Sequence, residues 1–184
     1  MKIIESDFEY RGYRCVTIFH DGGFRCGYVG LPEGHPLYKK DYKDQINVTL
    51  KDIVGTPVGK RGVFTLLGLP DNLDDQINMD AYFDVHGGLT FSAGGKNSHH
   101  PVDSDLWWLG FDCGHAGDCP DYELLEKLWG NDRLVKSRLG DRWLYEEDEV
   151  RDLAYVQQEC KNLVDQIIDL VNKYYKVMFD ESSK

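Results

Sequence analysis

Two histidine-bearing, glycine-punctuated loops carry the side chains best suited to chemistry in this chain. The first is His86-Gly87-Gly88-Leu89-Thr90-Phe91-Ser92. A histidine beside two glycines sits where backbone can approach a ligand closely. Thr90 and Ser92 are two residues apart, so on a strand both hydroxyls point to one face. The second is Phe111-Asp112-Cys113-Gly114-His115-Ala116-Gly117-Asp118-Cys119, which follows an apolar run. Asp112, His115 and Asp118 recur every three residues, and carboxylates with imidazole suit a divalent metal or acid–base work. Cys113, His115 and Cys119 form a competing zinc set, which needs a fourth ligand such as His99 or His100 and matches no common zinc module. Each loop also has a plain structural reading. His86 can be a hydrogen-bonded residue of a glycine turn, and Asp112 and Asp118 can cap backbone N–H groups while His115 braces the turn.

Trp107-Trp108 lies between the two loops. Neighbours in a strand face opposite sides, so one indole can fill the core while the other lines a ligand face and stacks on a planar group; packing of both is the alternative. Lys96 follows Gly94-Gly95 in the manner of a phosphate nest but lacks the full P-loop pattern. Arg11, Arg14 and Arg25 could clamp an anion or stand on the surface. There is no Gly-x-Ser-x-Gly elbow and no Cys–His nucleophile arrangement.

Positioning these groups falls to a sheet and a helix. Phe8 to His20 is rich in aromatic and β-branched residues, Asp21-Gly22-Gly23 supplies a hairpin turn, and Phe24 to Val29 returns as a strand. A second hairpin is expected from Ala81 to Ala93, with Ala81–His86 as its first strand and Gly87-Gly88 as its turn. Leu106–Phe111 reads as a buried strand and Tyr122–Trp129 as a short helix. Ile46–Leu50 and Val63–Leu67 could be strands or loop, and Pro70–Met79 reads as acidic surface. Leu153, Val156, Cys160, Leu163, Ile167, Leu170, Tyr174 and Val177 alternate spacings of three and four, which defines an amphipathic helix opened by the acidic run Glu146–Glu149. Its stripe is broad, so it suits packing on a sheet better than a coiled-coil seam. The fold class is therefore α+β: an antiparallel sheet built from hairpins, packed against a long C-terminal helix. Residues 1–184 read as a single domain, sheet-rich over 1–119 and helical over 120–184.

Composition narrows the partners. The chain has 184 residues, 41% hydrophobic, with 32 acidic against 21 basic side chains and a net charge of −11. Such a field repels nucleic acid polymers and anionic membranes, and no Lys/Arg run offsets it. A small anionic ligand needs only two or three donors. The sequence opens without a secretion signal or a membrane-length apolar stretch, and the 5 cysteines are odd in number, so reduced thiols in a cytoplasm are expected. The broad helix would also serve a homo-oligomer.

Several phrases together resemble a family of small hypothetical proteins of bacteriophage and prophage genomes. They are Arg11-Gly12-Tyr13-Arg14-Cys15, Arg25-Cys26-Gly27-Tyr28-Val29-Gly30, Gly34-His35-Pro36-Leu37-Tyr38, Val85-His86-Gly87-Gly88-Leu89-Thr90-Phe91, Trp107-Trp108-Leu109-Gly110-Phe111-Asp112-Cys113-Gly114-His115 and Glu159-Cys160-Lys161-Asn162-Leu163. The resemblance implies a phage-type origin, action in a host cytoplasm, and a part in countering host defence, in some cases by sequestering nucleotide signals.

Three functions follow as expectations. The first is a binding protein for a small polar, nucleotide-like ligand. His86, Gly87, Gly88, Thr90 and Ser92 would hydrogen-bond it, Phe91 and Trp107 or Trp108 would stack, Lys96 would meet phosphate, and Asp112, His115 and Asp118 would supply charge. No cofactor is required, with a divalent metal left open. The second is a hydrolase in which Asp112, His115, Asp118 and His86 hold a metal that acidifies a bound water. The third is an interaction module that blocks a host factor.

Overall fold

The computed structural model describes residues 1–55, 59, 67–94, 101–140 and 148–175. Its frame is a five-stranded antiparallel sheet, crossed on one face by a long C-terminal helix. The strands in sheet order are β1 (Lys2–Tyr10), β2 (Tyr13–His20), β3 (Arg25–Leu31), β7 (Trp107–Asp112) and β6 (Phe91–Gly94). The Asp21-Gly22-Gly23 turn joins β2 to β3 with Phe19 opposite Arg25, as the turn chemistry requires. The run from Phe8 to His20 is divided by a further tight turn. Arg11 and Gly12 both adopt positive φ, 51° and 85°, which lets β1 fold back on β2 with Tyr10 opposite Tyr13.

Between β3 and β6 the chain builds a small lobe. It holds β4 (Gln45–Thr49), α1 (Leu50–Ile53), β5 (Gln76–Asn78) and α2 (Met79–Tyr82). Pro70–Met79 is thus not wholly surface: Ile77 and Met79 are fully buried while residues 71–76 are exposed. The expected strand Ala81–His86 does not form. Its alternating apolar residues Ala81, Phe83 and Val85 are buried, but the segment is a helical turn followed by irregular chain, and β6 pairs with β7 instead. Most of Val63–Leu67, Lys96, His99-His100, Glu146-Glu147 and Val177 lie outside the described residues.

After β7 come β8 (Asp118–Cys119), α3 (Tyr122–Trp129), α4 (Arg133–Leu139), β9 (Glu149–Val150) and α5 (Leu153–Tyr174). The acidic run does not open α5. Glu149 instead pairs with Asp118 in the short parallel β8–β9 ladder, and the Asp152 side chain caps the helix by accepting from the Tyr155 N–H.

Val156, Cys160, Leu163, Val164, Ile167 and Leu170 of α5 are fully buried, in one cluster with Cys15, Val29, Leu31, Leu109 and Phe111 of the sheet. Each Val, Leu, Ile or Phe among them contributes roughly 1.5–3 kcal/mol on burial. Gly27 lets the helix lie this close, because a Cβ there would sit 2.4 Å from Phe111 Cζ and 2.8 Å from Cys160 Sγ. The opposite sheet face has its own cluster of Val16, Ile18, Tyr28 and Trp108, with Phe91, Val102 and Leu106 packed on it. Among the described residues no helix is long and apolar enough to cross a membrane.

Candidate functional site

The two histidine loops meet at the N-terminal turns of α5. Val85–Gly88 is a tight turn, with the Gly88 N–H donating to the Val85 carbonyl at 2.9 Å and both glycines at positive φ. It lies beside the 112–119 loop that leaves β7. His86 is the hub. Its Nε2 is 2.8 Å from Asp118 Oδ2, its Nδ1 is 3.0 Å from the Tyr155 hydroxyl, and its backbone N–H donates to Glu159 Oε2 at 3.1 Å.

Asp118 is 2% exposed and uses both oxygens. Oδ1 accepts from Arg151 Nε at 2.8 Å, while Oδ2 faces His86 and also accepts the His115 N–H at 3.0 Å. Burial pushes its carboxyl upward, but the bonds from Arg151, His86 and the His115 N–H outweigh burial and hold it below the usual carboxylate range. An ionised Asp118 can only accept, so Nε2 of His86 carries the ring proton, and in the neutral ring Nδ1 accepts from the Tyr155 hydroxyl. Arg151 also lies 5.1 Å over the Tyr155 ring and pairs with Glu149. Carboxylate, imidazole and phenol are thus linked in one chain, clamped by a guanidinium.

His115 completes the cluster. Its ring centroid is 5.7 Å from that of His86. Nδ1 stands 3.8 Å from Asp112 Oδ1 and 3.9 Å from Asp118 Oδ2, beyond hydrogen-bond range, and is sheltered from solvent without a partner. The side chain as a whole keeps 35% exposure. Gly87 makes this placement feasible: at φ +67° it leaves the ring room that a Cβ, 2.1 Å from His115 Cε1, would take.

The other sequence candidates are placed differently. Asp112 braces its loop, accepting from the Thr90 hydroxyl at 2.9 Å and the Gly114 N–H at 3.1 Å. Ser92 donates to Asp41 and accepts the Tyr42 N–H, so Thr90 and Ser92 do not converge on one pocket. Phe91 packs edge-on to Tyr28 at 5.3 Å. Trp108 is fully buried with its indole N–H donating to Ser104, and Trp107 donates to the Lys40 carbonyl. The three hairpin arginines are all engaged: Arg11 with Asp165, Arg14 with Asp7, and buried Arg25 with Glu5 and Asp121. Of the four residues in the hydrolase reading, His86, His115 and Asp118 converge, their ligand atoms lying within 4.8 Å of one another, while Asp112 is engaged in bracing its loop. In the thiol alternative, Cys113 belongs to the apolar core and burial pushes its thiol upward, against the thiolate zinc requires.

Sequence reasoning missed Arg151, Tyr155 and Glu159. A signal was present. Tyr155, Glu159, Asn162 and Gln166 follow spacings of four, three and four, a polar stripe beside the apolar one. Asn162 donates to Glu159, and Gln166 exchanges two hydrogen bonds with the Asp84 backbone. An open groove of about 430 Å³ lined by Asp84, Asn162, Asp165 and Gln166 runs along the same helix and includes neither imidazole. Comparison with protein-family models, with curated proteins and with solved structures returned no match.

Proposed function

We propose that this protein captures a small polar, nucleotide-like ligand at the His86–His115–Asp118 cluster, and that retention rather than turnover is its work. The observation that carries the reading is the His115 ring. Leaving its Nδ1 sheltered and unpartnered costs about 1–3 kcal/mol, a cost that a ligand reaching that atom would offset. Gly87 holds the ring in that position, and the Arg151–Asp118–His86 chain fixes the neighbouring imidazole in one orientation. The net charge of −11 favours a small ligand over a nucleic acid polymer. The resemblance to small phage proteins supports a setting in counter-defence, with a host signal nucleotide as the captured molecule.

The test uses cyclic nucleotides and ADP-ribose derivatives, each incubated with purified protein, separated from free ligand and recovered by heat denaturation. One of them is expected back unaltered at about one per chain. His115→Ala, at a half-exposed position, is expected to retain at least about tenfold less, a loss of about 1.4 kcal/mol. Recovery of a hydrolysed product would make the centre catalytic, and retention of none would sink the reading.

A further inference from the structure

We infer that His86, His115 and Asp118 form a binding site for one divalent first-row transition-metal ion of the zinc type. The inference deepens the ligand-binding reading, since the ion would be the cationic element that holds an anionic ligand, but ion binding itself can be measured alone.

Geometry comes first. Nε2 of His86, a ring nitrogen of His115 and a carboxylate oxygen of Asp118 lie within 4.8 Å of one another. A tetrahedral ion with bonds near 2.0–2.1 Å separates its ligand atoms by roughly 3.3–3.5 Å. The 2.8 Å contact between His86 and Asp118 would open by about half an ångström, and the 3.9 Å contact of His115 would close by about as much. The third pair, the two imidazole nitrogens within 4.8 Å, would close by up to about 1.5 Å through movement of the partly exposed His115 ring. The proton now lying between His86 and Asp118 occupies the place the ion would take.

Supporting contacts are of the kind metal ligands have. A ligating histidine fixes its other nitrogen on a second group, and a ligating carboxylate has its spare oxygen bonded. Here His86 Nδ1 is on the Tyr155 hydroxyl and Asp118 Oδ1 is on Arg151. With an ion on Nε2, Nδ1 would carry the ring proton and donate it to the Tyr155 oxygen. His115 Nδ1 is the independent sign: a sheltered nitrogen with no partner, 3.9 Å from the same carboxylate oxygen.

The donor set selects the ion. Two imidazoles and one carboxylate suit zinc-like ions, whereas calcium and magnesium take oxygen ligands. Three protein ligands leave at least one position for water or an anion. That position matters in a chain of net charge −11 whose hairpin arginines already have carboxylate partners. A bound dication would offset the negative charge around the cluster and offer an anion a positive partner there.

Co²⁺ and then Zn²⁺ titrated into tag-free, chelator-stripped protein test this, read by calorimetry and visible cobalt absorption. One ion per chain is expected. His115→Ala should weaken binding more than about 100-fold, because loss of an outer partner alone costs about 10–100-fold. Tyr155→Phe should weaken it about tenfold, Gly87→Ala should weaken it by displacing the His115 ring, and Asp112→Asn should leave it unchanged. Circular dichroism confirms that each variant is folded. Absence of binding to the parent chain, unchanged affinity in folded His115→Ala, or strong sulfur-to-cobalt charge-transfer absorption would overturn the inference. Ion binding without nucleotide retention would overturn only the ligand reading, and nucleotide retention by protein that binds no ion would overturn only this one.

Discussion

Asp118→Ala is expected to reduce the free energy of unfolding of metal-free protein by about 3–5 kcal/mol at neutral pH. The carboxylate is 2% exposed and answers three donors: Arg151 Nε, His86 Nε2 and the His115 N–H. Removing it leaves the Arg151 Nε–H and a buried imidazole N–H without an acceptor, with Arg151 keeping only its contact to exposed Glu149, and the cost of breaking such a pair exceeds the net worth of the pair itself. Its pH dependence follows from the depressed carboxyl. The stabilisation is fully present above the unfolded value of 3.8 and fades as the pH falls through the lower folded value. Urea denaturation of both proteins from pH 7 down to pH 2 should therefore show midpoints that converge in acid. A gap below about 1 kcal/mol at pH 7, the range of an exposed ion pair, would remove Asp118 from its central place.

Trp108→Ala should cost about 3–5 kcal/mol of stability, with Trp108→Phe losing much less. The indole is fully buried in the cluster with Val16, Ile18 and Tyr28, on the sheet face away from α5. It has no face left for a planar ligand. If Trp108 stacked on a ligand, Trp108→Phe would lower retention at unchanged stability. Thermal denaturation beside the nucleotide retention assay separates the two outcomes.

The sheet and α5 were legible in the sequence because their patterns are local. Val16, Ile18, Val29, Leu109 and Phe111 sit in runs that only a pleated, half-buried surface satisfies, and the stripe from Leu153 to Tyr174 has one period throughout. The segment Ala81–His86 defeated the same logic. Alternating burial of Ala81, Phe83 and Val85 looks like a strand, but their neighbour is helix α5 and the lobe core, so the period of two is kept without a ladder. The candidate site was half legible. His86, His115 and Asp118 stand within 33 residues of one another in loops whose glycines announce close packing. Arg151, Tyr155 and Glu159 orient them from a distant element; the polar stripe of Tyr155, Glu159, Asn162 and Gln166 marks a polar helix face but does not say which loop it meets. Asp112 is ambiguous in the sequence for the opposite reason. A carboxylate one residue before a Cys-Gly pair suits an Asx turn as well as a metal, and the Gly114 N–H takes it.

The pins between residues 84–86 and α5 have a consequence for how this region opens. The Asp84 and His86 amides donate to the Gln166 and Glu159 side chains, well inside a helix of 22 residues. A surface turn normally exchanges its amide hydrogens through small local fluctuations. These two amides are freed only when helix side chains let go, so their exchange with deuterated solvent should be as slow as that of the α5 interior. The Gly87 loop is irregular in shape, yet the chain leading into it is tied to the side chains of a long buried helix.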